Sequence, residues 1–222
     1  MQAPLSGLLT SRGVKHSIIY QADNIDDKQI INSEYIFGHI GKYPEILIPN
    51  ILSYGFVRDP IDRFISTFNF FSKNIFNVTP TRDLLDLWLY DEVLSTSHSN
   101  LQSKFITGYS NKELWNLSNR QERVKNGWFI SDYSLNIDNI INEIEKSNFA
   151  SIENYHLVLD WLSDIIYNKY SFMLYSRRYK VNDSEPLTFH IDKTAMNRIK
   201  ELNEIDLCMY DYIKSTEIKR FK

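Results

Sequence analysis

An apolar run stops at Val57 and a helix opens at Pro60, with only one Arg and one Asp between them: Tyr54-Gly55-Phe56-Val57-Arg58-Asp59-Pro60. The run is apolar on both faces near its end, as in a strand buried in a parallel sheet. Asp59 is a good helix N-cap. Pro60 suits the first helical position, where its missing N–H would have no intrahelical partner. A strand that hands over this abruptly to a helix fits a layered α/β domain, and in such sheets the ligand crevice lies at the carboxyl ends of the strands.

The rest of the chain repeats the alternation. Strands are predicted over residues 17–20, 35–37, 51–57, 127–131 and 149–152, and a helical turn over 26–31. Helices are predicted over 60–73, 81–94, 101–107, 137–146 and 153–168. The stretch 192–219 reads as helical with a break near Asn203-Glu204. The second helix carries a wide apolar face of Leu84, Leu85, Leu87, Trp88 and Leu89. No Gly/Ser linker, repeat or low-complexity tract divides the 222 residues, so residues 1–222 read as a single domain.

The charge balance narrows the partners. A formal net charge of −3 gives no global basic field, which excludes non-specific nucleic-acid binding and makes any anion site a local one. The single cysteine, Cys208, rules out an intramolecular disulfide and a multi-cysteine metal site. It sits in an apolar helical pattern and reads as a small buried hydrophobe. His16, His98, His156 and His190 are scattered without metal-ligand spacing, and no metal is expected. No apolar run approaches the ~18 residues of a membrane span, and the start lacks the charged-then-apolar pattern of a signal peptide.

The junction at residues 54–68 is where chemistry is expected. Helix starts carry unpaired N–H groups and a partial positive charge that draw anions. Arg58 can reach into the same crevice with a planar fork suited to phosphate. Arg63 and Ser66, three apart, share a helix face and add a guanidinium and a hydroxyl. Together they suit a phosphate monoester. On the residues alone, Arg58 can equally bridge a surface carboxylate, because strand-Asp-Pro-helix is a common junction.

The spelling Phe56-Val57-Arg58-Asp59-Pro60-x-x-Arg63-x-x-Ser66-x-Phe68 resembles the 3′-phosphate-binding motif of sulfotransferases. It resembles in particular the branch acting on glycan hydroxyls, which includes heparan sulfate 2-O-sulfotransferases and bacterial relatives. Further segments are similar in the same order: Tyr35-Ile36-Phe37-Gly38-His39-Ile40; Asn100-Leu101-Gln102-Ser103-Lys104-Phe105 with Gly108; Phe149-Ala150-Ser151-Ile152-Glu153-Asn154-Tyr155; Lys180-Val181-Asn182; and an Asp-x-x-x-Tyr helix at Asp206 and Tyr210. The similarity spans about residues 35–215.

The resemblance implies a P-loop-NTPase-like three-layer α/β domain with a mainly parallel sheet and extra helices. It also implies a co-substrate, 3′-phosphoadenosine-5′-phosphosulfate (PAPS), and a glycan acceptor, with Arg58 and Ser66 holding the 3′-phosphate. His39 is the implied catalytic base; an unperturbed imidazole accepts a proton near neutrality. Read without the resemblance, His39 is a structural histidine at a turn. Arg177, Arg178 and Lys180 read either as a solvated charge run or as a contact for phosphates or an anionic glycan. For compartment, the resemblance points to the cytoplasm for bacterial relatives and to the Golgi membrane for animal ones.

Members of that family open with a strand and a Pro-Lys-x-Gly-Thr-Thr/Ser loop whose N–H groups cradle the 5′-phosphosulfate. The chain does not spell it: Pro4-Leu5-Ser6-Gly7 has no Lys in place, and Gly13-Val14-Lys15 has the order reversed. The expectation is that the first strand and loop are missing, through a chain that begins after them or a paralogue that no longer transfers sulfuryl groups. Either account predicts very low activity for these 222 residues. A nucleoside-phosphate kinase would need Gly-x-x-x-x-Gly-Lys-[ST], which is absent.

Overall fold

The computed structural model of the chain describes residues 11, 13–19, 27–38, 48, 52–107, 135–170 and 187–221. Every strand pairing in it is parallel. β1 (His16–Ile19) lies beside β2 (Tyr35–Gly38), with α1 (Asp27–Ile31) between them in sequence. β3 (Tyr54–Val57) lies beside β4 (Asn148–Ser151). Parallel neighbours need a long crossover. That from β3 to β4 contains α2 (Pro60–Phe70), α3 (Arg82–Tyr90), α4 (Glu92–His98), α5 (Leu101–Thr107) and α6 (Ile137–Glu145). α7 (Tyr155–Tyr170) follows β4, and α8 (Lys193–Leu202) and α9 (Glu204–Arg220) come last. The architecture is mixed helix and strand. Where the sequence suggested one broad sheet, the described residues form two separate two-stranded pairs.

Helices cover both faces of the β3–β4 pair. The register sets Gly55 beside Phe149 and Val57 beside Ser151. Alternation therefore turns these four to one face, where Val57 and Phe149 pack with Ile140 and Ile144 of α6 and Met209 and Ile213 of α9. On the other face the Tyr54 ring meets Trp161 of α7 edge-on at 6.1 Å. The Phe149 ring lies across Gly55 so closely that a Cβ there would come within 2.5 Å of it, so this position takes glycine. A second core joins Phe64 and Phe68 of α2, Leu85, Trp88 and Leu89 of α3, and Ala195 and Ile199 of α8.

Several boundaries differ from the sequence reading. The helix expected over residues 81–94 is two. Asp91 takes an extended conformation and its side chain accepts from Leu94 N, so it caps α4 and breaks the run. The helix expected over 60–73 leaves α-geometry after Phe70 for a π-turn, Phe71–Ile75. The third predicted strand is shorter, beginning at Tyr54, and the helix after β4 opens with a 3-10 turn, Ile152–Asn154. Cys208, expected to be buried, is exposed: it falls on the solvent side of α9, whose buried side is Asp206, Met209, Tyr210, Ile213 and Glu217. The strand predicted over 127–131 lies outside the described residues. Among the described residues, no helix is long and apolar enough to cross a membrane.

Candidate functional site

The ladder's last pair is Val57 beside Ser151, so the backbone groups of Arg58 lie past the end of the sheet. A side chain takes over as partner. The Arg58 N–H donates to Gln102 Oε1 at 2.8 Å, and Gln102 Nε2 donates back to the Arg58 carbonyl at 2.9 Å. The backbone N–H and C=O of Arg58 are thereby both held by one side chain while the residue itself is exposed. Among the described residues, no hydrogen bond or ion pair engages its guanidinium.

Asp59 caps α2 as expected: Oδ1 accepts from Ile61 N at 2.9 Å and Asp62 N at 3.0 Å. This changes the anion argument. A carboxylate already occupies the helix start, so the first-turn N–H groups are not open to a ligand, and an anion here would have to be met by side chains.

Arg63 does not join Arg58 and Ser66. It turns inward, where its side chain is 11% exposed and lies 3.7 Å from Asp206 Oδ2. Both terminal nitrogens donate to the His98 carbonyl at 3.2 Å, and Nη2 also donates to Asn203 Oδ1 at 2.5 Å. Burial lowers its pKa to about 10, with the Asp206 charge acting the other way. Arg63 is a structural arginine. Ser66 is half-buried, about 9 Å along the α2 axis from Pro60, and no hydrogen bond joins it to Arg58 among the described residues. His39, Arg177, Arg178 and Lys180 lie outside the described residues.

Two helix starts cap each other behind Arg58. Asn100, at φ 43°, accepts from Ile205 N at 3.0 Å and Asp206 N at 3.1 Å, which caps α9. The fully buried Asp206 accepts in return from Gln102 N at 3.0 Å, Ser103 N at 2.7 Å and Ser103 Oγ at 2.5 Å, which caps α5. Beside them the buried Lys104 donates to the Thr96 carbonyl at 2.5 Å and to Ser99 Oγ at 3.2 Å. Desolvation lowers its pKa to about 8, with Asp206 opposing and Arg63 adding.

The end of β4 is tied to the same last helix. Glu217, 1% exposed, accepts from Ser151 N at 2.6 Å, Ser151 Oγ at 3.1 Å and Asn154 Nδ2 at 2.5 Å. The Tyr210 hydroxyl donates to Glu153 Oε2 at 2.9 Å, and Lys214 lies 5.4 Å from the Tyr210 ring centre. Burial works to raise the Glu153 carboxyl, but hydrogen bonds from its own backbone N–H, Tyr210 and Ser151, together with Lys214, bring it below the ordinary range.

The sequence reading set His98 aside, yet it is buried against Trp88, with ring centres 4.2 Å apart. Its Nδ1 donates to the Leu94 carbonyl at 2.9 Å, since a carbonyl can only accept. The signal available was the Leu94-to-His98 spacing of one helical turn after an apolar face. Desolvation lowers its pKa from 6.5 to about 4, opposed by the Leu94 bond and reinforced by Arg63 and Lys104. Between pH 6.5 and 4 the unfolded chain therefore binds more protons than the folded one, and stability falls as pH drops through that window. The full shift is on the order of 3 kcal/mol. Urea melts from pH 7 to 4 are expected to show this slope in wild type and a flatter one in His98→Gln; equal slopes in the two would remove His98 as the cause.

Among the described residues, no group of three or more His, Cys, Asp or Glu side chains could hold a metal ion. No family model, curated protein or solved structure matches the chain.

Proposed function

We propose that the chain is a sulfotransferase domain of the glycan branch, which binds PAPS by its 3′-phosphate and directs its sulfuryl group to a carbohydrate hydroxyl. One observation carries this reading. Segments that the resemblance selects from distant parts of the sequence are linked by hydrogen bonds around the carboxyl end of β3. Gln102 holds Arg58, Asn100 and Asp206 cap each other's helices, and Tyr210 holds Glu153. The carboxyl end of a parallel strand is also where an α/β sheet offers its crevice. The finer fold proposed with this function is a P-loop-NTPase-like three-layer domain, to which the helices on both faces of β3–β4 lend support.

In this reading the exposed Arg58 and the hydroxyl of Ser66 grip the 3′-phosphate, Arg58 by charge-assisted hydrogen bonds. Transfer is an in-line displacement: the acceptor oxygen forms a bond to sulfur as the bridging bond to the 5′-phosphate breaks. His39 takes the hydroxyl proton, and positioning supplies much of the rate. The leaving phosphate needs donors of the Lys-x-Gly-Thr kind. The 222 residues do not spell that run, and the alternative reading is a binding protein that keeps the 3′-phosphate site without turnover.

Calorimetric titration with 3′,5′-adenosine bisphosphate tests the site. Wild type is expected to bind. Arg58→Ala is expected to lose about 1.5–3 kcal/mol, the worth of hydrogen bonds to a charged group, or roughly 10- to 150-fold. Ser66→Ala, which removes one neutral hydroxyl from the charged phosphate, is expected to lose about 1.5 kcal/mol, the lower end of the same range. A wild-type chain that binds no bisphosphate, or an Arg58→Ala chain that binds as well as wild type, rules the site out. Labelled-sulfate transfer to glycan acceptors separates the enzyme from the non-catalytic reading.

A further inference from the structure

We infer that Gln102 is a positioning residue, which presents Arg58 to a phosphate by clamping its peptide. The inference rests on the reading of Arg58 as a phosphate ligand given above. The backbone N–H and C=O of Arg58 lie beyond the last rung of the β3–β4 ladder. A side-chain amide is the one side-chain group of this size that carries a donor and an acceptor in a plane able to meet both. Gln102 does so at 2.8 Å and 2.9 Å across 44 residues of sequence. It replaces the missing strand neighbour at the residue that carries the exposed guanidinium.

The clamp is itself anchored. The Gln102 N–H ends on Asp206, whose carboxylate is fully buried and also holds the N–H and hydroxyl of Ser103. Asp206 is fixed in turn by the bond from its own N–H to Asn100. A run of satisfied hydrogen bonds thus extends from the core of α9 to the peptide of Arg58. On the other side of that residue, Asp59 is locked onto the first turn of α2. With both flanks fixed, ordering the Arg58 backbone adds no cost when a phosphate arrives, which is how preorganisation raises affinity.

A double-mutant cycle read by calorimetry with 3′,5′-adenosine bisphosphate tests this. Gln102→Met keeps length and packing but deletes both hydrogen bonds. It is expected to weaken binding on the order of tenfold in the wild-type background and to change nothing in the Arg58→Ala background, because its effect runs through Arg58. Gln102→Asn is the second variant. It keeps the amide but is one methylene too short to span both backbone groups, and is expected to behave the same way. If either folded variant binds like wild type, or loses the same factor with and without Arg58, the positioning role is overturned while the phosphate site stands. If wild type binds no bisphosphate, both fall.

Discussion

Asp206→Ala is expected to lower the unfolding free energy by about 3–5 kcal/mol, the cost of breaking a buried pair from one side. The carboxylate is fully buried and serves four groups at once: the Gln102 and Ser103 N–H groups, the Ser103 hydroxyl and the Arg63 guanidinium. Alanine leaves Arg63 charged, enclosed and without its counter-ion, and leaves the first turn of α5 uncapped. Against the ~5–15 kcal/mol of a typical domain this is a large fraction. Asp206→Asn keeps an acceptor oxygen and loses the charge, so its loss should fall between wild type and alanine. Urea denaturation at pH 7 is the measurement. An alanine variant within 1 kcal/mol of wild type (roughly the worth of an exposed ion pair) would show that the cluster does not act as one unit.

Trp88→Ala is the second large effect, also expected at about 3–5 kcal/mol. The indole is fully buried and receives Phe68 edge-on at 5.4 Å, Phe71 at 5.8 Å and Phe64 at 6.4 Å. Its Nε1 has no hydrogen-bond partner among the described residues, so the loss is one of packing and not of polar pairing. Trp88→Phe leaves a smaller void and removes that unpaired N–H, and should lose less. The variant carries a second signature. His98 lies tilted against the indole, so opening a cavity there that admits water returns the imidazole toward 6.5 and flattens the acid-side slope of stability. A Trp88→Ala chain that is destabilised but keeps the wild-type pH slope would separate the two residues.

The elements were legible where one local rule decided them. Asp59-Pro60 marks the start of α2, and the break at Asn203 falls where the sequence placed it. What misled was Asp91, whose capping power outweighs the apolar face running past it, and Cys208, whose apolar neighbours lie on a different side of α9. For the candidate site, spelling singles out Arg58 and Ser66, but it does not give the direction of Arg63. Helix spacing puts Arg63 one turn from Ser66, yet only the fold reveals a buried carboxylate 143 positions downstream waiting for it. Asn100, Gln102 and Asp206 were visible as parts of a familiar order with no physical task attached. Their tasks are contacts across 44 to 106 residues, which no local pattern encodes.

The mutual capping of α5 and α9 also sets a timetable. Asp206 lies 104 positions after the N–H of Gln102 that it holds. A ribosome adding about 5–20 residues per second completes that stretch in roughly 5–20 s. Throughout that interval the opening amides of the nascent α5 have only water in place of the Asp206 carboxylate, and the glutamine that braces residue 58 lacks its anchor. The braced end of β3 is therefore among the last parts of the molecule to be assembled, finished only when the carboxyl-terminal segment has emerged and docked.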